Sequence, residues 1–205
     1  MLTAAELYRV LESGYGEPDW WSEDPFTVMF QSVLVQNTSW ASVRRVYEGM
    51  DISSRIILCM TEEELMAKIR PCGLASSKAK TVRRLAEWYR SHEAVAPSMT
   101  TDDLRSALMA IRGVGRETAD VILLYAFRRS VFVVDAYARR LFERLGYGFR
   151  DDDSIRDFFE TGLDLDVTRL GGIHRLILEH GIERCRREPE CDGCPLSDGC
   201  AHRSR

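Results

Sequence analysis

At 205 residues, 45% hydrophobic and 29% charged, the chain can build one substantial core or two small lobes sharing a cleft, with an ordinary globular balance. No apolar run approaches the roughly 20 residues that span a bilayer. Met1–Ser13 lacks the basic and apolar regions of a secretory leader, so the cytoplasm is the expected compartment. A net charge of −4 argues against a uniformly basic nucleic-acid binder and leaves only a local patch for that role.

In chain order the apolar pattern is helical nearly throughout. Asp24-Pro25 supplies an N-cap and a first-turn proline for a helix carrying Val28, Met29, Phe30, Val33 and Leu34. Thr61 and Glu64 have capping-box spacing. Ser77 opens a helix whose Val82, Leu85, Ala86 and Tyr89 share one face. Its Lys78, Lys80, Arg83, Arg84 and Arg90, opposed only by Glu87, form the candidate basic patch; a solvated helix face is the competing reading. Leu104 and Leu108 precede the turn Gly113-Val114-Gly115, and a helix from Glu117 to Phe127 is apolar enough all round to be buried. Val131–Val134 is strand-like and ends at Asp135, placed to cap a helix with Ala138, Leu141, Phe142 and Leu145. Ser154–Phe159 and Thr168–His180 read as further helices, the last closed by Gly181. The expected fold is all-α, with about ten helices.

Two features carry chemistry. Glycines one residue apart between helices allow a tight turn whose backbone N–H groups face outward toward a phosphate, which nominates Gly113, Gly115 and the adjacent Arg116 for DNA contact. Turn geometry alone explains the glycines equally well. The second feature is Cys185, Cys191, Cys194 and Cys200, spaced C-x5-C-x2-C-x5-C near Arg184, Arg186 and Arg187. Four thiolates over so short a span suit one soft metal centre, and spacing leaves zinc and iron–sulfur both open. Cys59 and Cys72 are expected to be buried apolar fillers.

The turn at 113–115, the buried helix and then Phe132-Val133-Val134-Asp135-Ala136-Tyr137 resemble the helix–hairpin–helix DNA glycosylase superfamily, in its endonuclease III branch. The family's hairpin falls at Ile111–Arg116 and its aspartate at Asp135. Its hairpin proline is Arg112 here, and its glycine and proline before the aspartate are Arg128 and Ser130. Pro25-Phe26 through Gln36-Asn37-Thr38 resembles the early helix and DNA-inserting loop, Gly73 through Lys78-Ala79 a second landmark, and His180-Gly181 through Cys200 the cluster loop. The resemblance implies a six-helix barrel over 22–130, with its helix–hairpin–helix at 104–128. It implies a second helical lobe from 1–21 plus 131–205, with an iron–sulfur loop at 185–200, the lobes flanking an active-site cleft. It further implies a [4Fe–4S] cluster rather than zinc, Asp135 as the catalytic carboxylate, and Gln36 as the residue filling the gap left by an extruded base. The commonest family spacing has one more residue in the first cysteine interval. The expected partner is double-stranded DNA with a damaged base, bound by a nucleoid-associated monomer.

Endonuclease III is bifunctional: a lysine early in its second hairpin helix attacks the sugar and cuts the strand. That position holds Glu117 here, and the only lysines are Lys68, Lys78 and Lys80. A carboxylate cannot form a Schiff base, so a monofunctional enzyme is expected. Trp20-Trp21, Trp40 and Glu117 together resemble the 3-methyladenine glycosylases of this branch, in which those positions sandwich and line the base pocket. A methylated purine is cationic, attracted to π faces and a nearby carboxylate, and leaves without help from a protein acid. Alternatives are a thymine- or uracil-mismatch glycosylase, a bifunctional endonuclease III-like enzyme, and a non-catalytic damage-binding protein. An adenine-mismatch enzyme fits less well, because its acid would fall near Ser32.

Overall fold

The computed structural model describes residues 1–19, 21–22 and 24–203, so the expectation placed on Trp20 lies outside the described residues. The described residues form eleven α-helices: α1 (Ala4–Tyr15), α2 (Pro25–Leu34), α3 (Trp40–Tyr47), α4 (Ser54–Cys59), α5 (Glu62–Ile69), α6 (Ala75–His92), α7 (Thr101–Met109), α8 (Arg116–Val121), α9 (Ala136–Leu145), α10 (Asp152–Gly162) and α11 (Val167–Glu183). Among the described residues there is no strand, and no helix is long and apolar enough to cross a membrane. Short polar side chains start the helices by accepting their otherwise orphaned N–H groups. Asp24, Ser39, Thr61, Asp135, Asp151 and Asp166 all do so, Thr61 within a capping box completed by Glu64.

The chain forms two compact units, Trp21–Arg129 and Met1–Trp20 with Ser130–Arg205. In the first, α6 packs against α2, α4 and α5, and Phe30, Leu34, Ile57, Leu65 and Leu85 are sealed in the core. In the second, α11 packs on α1 and α9 around Leu7, Leu11, Phe142 and Phe159.

Local structure departs from the sequence expectations at identifiable points. The helix expected from Ser77 begins at Ala75, because Leu74 takes a left-handed conformation (φ 48°) that ends the preceding turn. The helix expected over Glu117–Phe127 is α-helical only to Val121. It then widens into a π-helical turn, Ile122–Ala126, with Phe127 N donating to Ile122 O at 3.2 Å. Val131–Val134 is buried but pairs with no strand among the described residues; Glu160 Oε1 accepts from Phe132 N at 2.8 Å. Gly181 does not close α11 but lies inside it. A β-carbon there would stand 2.3 Å from the Tyr137 ring, so close helix approach accounts for this glycine.

Candidate active site and thiol loop

Asp135 stands at the junction between the buried segment 131–134 and α9. It is the helix N-cap, with Oδ1 accepting from Ala138 N at 2.8 Å, and only 7% of the residue is exposed. Its Oδ2 lies 3.6 Å from Nε2 of His174, a buried residue of α11. Burial alone would raise the carboxyl pKa. The hydrogen bond and charge of His174, with the N–H groups of Ala138 and Tyr137, outweigh it and hold Asp135 below the ordinary carboxylate range. His174 was not singled out from the sequence. The available signal was its place on the apolar face of α11, in register with Leu170, Ile173 and Ile177.

Within Trp21–Arg129, the hairpin joins α7 to α8 through Gly113 at φ 101°. Val114 N donates to Ile111 O at 3.0 Å, closing the turn. Asp120 is buried and accepts from Arg105 Nε at 2.9 Å, binding α8 to α7, a pairing that leaves no local mark in the sequence. Gln36 Nε2 donates to Gly113 O at 3.3 Å and to Thr118 Oγ1 at 2.9 Å. Gln36 and the hairpin are thus brought together. Arg116 and Glu117 open α8 and are exposed, Arg116 lying 3.8 Å from Asp120.

The basic patch expected over Lys78–Arg90 is largely consumed by internal bonds. Lys78 is buried, its Nζ donating to Leu34 O at 2.9 Å and Cys72 O at 2.7 Å. Desolvation lowers its pKa. Arg83 donates to Ile57 O and Met60 O, and Lys80 pairs with Glu62 at 3.7 Å. Cys72 is buried as expected, but Cys59 is exposed at the end of α4, off the apolar face.

Trp21 and Trp40 are also brought together, though not as the two sides of a slot. Their rings meet edge to face at 5.3 Å and 84°, and Trp21 meets Tyr125 of the π-helical turn at 5.2 Å and 64°. The expected base sandwich also involves Trp20, which lies outside the described residues; of its rings, Trp21 and Trp40 pack edge to face.

In the second unit, Cys185, Cys191, Cys194 and Cys200 all line one cavity with Leu141, His180 and Leu196, and none forms a disulfide. Arg144 Nη1 donates to Cys185 Sγ at 3.2 Å and to Arg186 O at 2.6 Å, while its Nη2 reaches Arg187 O at 3.0 Å. Arg140 Nε donates to Cys185 O at 2.8 Å. These two α9 arginines, which the sequence reading missed, hold the loop from beneath. Arg184 is spent on Asp192 O at 2.9 Å, and Arg186 pairs with Glu190. Burial raises the Cys194 thiol pKa, and Cys185, Cys200 and Cys191 raise it further despite a bond from the Leu196 N–H. Among the described residues no three Cys, His, Asp or Glu side chains stand in a metal-binding array. Four soft donors around one cavity nevertheless match the chemistry of a thiolate-bound metal centre. Replacing Arg144 by methionine should remove three hydrogen bonds, at about 1 kcal/mol each, and lower the melting temperature of the protein by several degrees, as a thermal scan would record.

Residues 30–159 match the HhH-GPD superfamily of base excision DNA repair proteins. A protein of Methanocaldococcus jannaschii named as a DNA repair glycosylase is 36% identical over 207 residues, spanning 95% of this chain and 94% of its own. Endonuclease III of Sulfolobus acidocaldarius is 34% identical over 188 residues, spanning 86% of this chain and 82% of its own. Among solved structures, the 3-methyladenine DNA glycosylase of H. pylori bound to 1,N6-ethenoadenine matches with a TM-score of 0.77 at 25% identity, covering 89% of this chain and 98% of that one.

Proposed function

Because the chain belongs to the HhH-GPD superfamily of base excision DNA repair proteins, in its endonuclease III branch, we propose that it is a monofunctional DNA N-glycosylase acting on an alkylated purine such as 3-methyladenine. What supports this reading is Asp135, a buried carboxyl held below the ordinary carboxylate range, in a chain whose three lysines, Lys68, Lys78 and Lys80, all fall outside the hairpin sequence. Lys78 is locked between two carbonyls, Lys80 pairs with Glu62, and Lys68 lies in the last turn of α5. The hairpin position of the family's Schiff-base lysine is Glu117.

In this reading double-stranded DNA binds through the Gly113–Gly115 turn and Arg116, and the damaged base is extruded. Gln36 exchanges its bonds to Gly113 and Thr118 for the space the base leaves. Trp21 and Trp40 supply π faces once their rings part, and Glu117 favours a cationic base over its neutral parent. The base leaves as a neutral purine. Asp135 stabilises the positive charge that develops on the sugar and orients the water that attacks it, the role carboxylates take in glycoside hydrolysis. Its Oδ1 stays on Ala138 N and its Oδ2 faces His174, so the acid keeps one orientation throughout.

Cys185, Cys191, Cys194 and Cys200 would hold a [4Fe–4S] cluster, which fits the donor set better than zinc on the family resemblance. When bound, such a group supplies a structural crosslink. Iron content and visible absorbance should both be lost in Cys194→Ser; wild-type protein carrying zinc and no iron would overturn the assignment.

The 34% identity to an endonuclease III favours a second reading, a bifunctional glycosylase and lyase. Borohydride treatment during turnover separates the two. Wild type should release base without a covalent protein–DNA adduct, and a trapped adduct would establish the lyase. Randomly methylated DNA and uracil or thymine mismatch duplexes, assayed side by side, identify the base; release only from the mismatches would replace the alkylpurine reading.

A further inference from the structure

One polar group beside the aromatic rings has no part in the reaction described above. Gln31 lies in α2 among Phe26, Val28, Met29, Phe30, Val33 and Leu34, and only 3% of it is exposed. Its Oε1 accepts from Trp21 Nε1 at 2.6 Å. An indole N–H can only donate, so it faces the carboxamide oxygen and turns the Gln31 amide nitrogen the other way. No described residue accepts from that nitrogen. The fully enclosed side-chain atoms without a partner are Arg129 Nε and Arg156 Nε among the described residues, and the Gln31 nitrogen is not one of them. An apolar residue would fill this position in α2 without the penalty of an unpaired buried donor.

We propose that Gln31 is a specificity-determining residue whose amide N–H, aimed by Trp21, donates to a ring-nitrogen acceptor on the edge of the extruded purine. Stacking alone accepts any flat cation, whereas a directed donor in a buried site discriminates against bases lacking the acceptor. The inference rests on the reading that Trp21 and Trp40 form the base pocket.

Free 3-methyladenine and its 1-deaza and 7-deaza analogues, each lacking one acceptor nitrogen, can be titrated against the full chain with tryptophan fluorescence as the readout. Wild type should bind 3-methyladenine about tenfold more tightly than one of the two analogues, and Gln31→Met should bind all three alike. On methylated DNA, Gln31→Met should shift the ratio of 3-methyladenine to 7-methylguanine released, whereas a packing defect lowers both equally. Equal wild-type affinity for all three bases overturns the proposal while leaving the pocket reading intact. Failure to bind any of them overturns the pocket reading itself. If Gln31→Met does not fold, the wild-type comparison alone decides.

Discussion

Replacing Asp135 by asparagine is expected to lower base release by roughly 10³-fold while leaving the fold and the affinity for duplex DNA unchanged. Asparagine caps a helix as well as aspartate does, so the bond to Ala138 N at 2.8 Å is retained and α9 keeps its start. On the proposed reading, what is lost is a negative charge that would face the reacting sugar and the ability to orient or deprotonate water. Alanine would be a poorer test, because it also removes the cap, at about 1 kcal/mol. Single-turnover release measured beside duplex binding checks the prediction, and unchanged release by the asparagine variant would make the protein a damage binder. The pH profile supplies a second check. Asp135 is held below the ordinary carboxylate range in the folded protein, so it stays ionised as pH falls through that range. Its contribution to stability is fully present above the unfolded pKa and is lost only as pH falls through the lower folded value. The acid limb of the rate profile should accordingly lie below the usual carboxylate pKa of about 3.9.

Replacing Gly113 by alanine is expected to destabilise the protein by roughly 3–4 kcal/mol and to abolish tight DNA binding. The backbone there sits at φ 101°, a conformation strained for any residue with a β-carbon. The added atom would stand 2.1 Å from Thr81 Oγ1, 2.9 Å from its Cγ2 and 3.0 Å from its Cβ. Rotating the threonine exchanges one clash for another, so the turn itself must move. That movement takes Gly113 O away from Gln36 and Thr81 away from Arg112 O, which it now meets at 3.3 Å. A thermal scan should show a fall of about 10 °C. An unchanged melting temperature would mean that the hairpin relaxes freely, and the Gly113–Gly115 turn would then lose its claim to a fixed phosphate-binding geometry.

Much of this molecule was readable from local pattern. The caps at Asp24, Thr61 and Asp135 were recognisable because capping depends on a side chain and backbone groups two or three residues away. The all-helical class followed from the 3.6-residue apolar period, and membership of the glycosylase family from the hairpin, Asp135 and the cysteine run. Properties that depend on distant residues were not readable. Lys78 looked like part of a basic surface until Leu34 and Cys72, 44 and 6 residues away, took its three-proton head into the interior. Gly181 looked like a helix stop until the Tyr137 ring was found against it. His174 beside Asp135, Arg144 on Cys185, and the edge-on contact of Trp21 with Trp40 are likewise pairings across helices. Order along the chain determined which elements form and where they begin. Only the tertiary structure decided which polar groups are spent on holding those elements together, because a polar contact across 39 or 41 residues leaves no periodic trace in the chain that makes it.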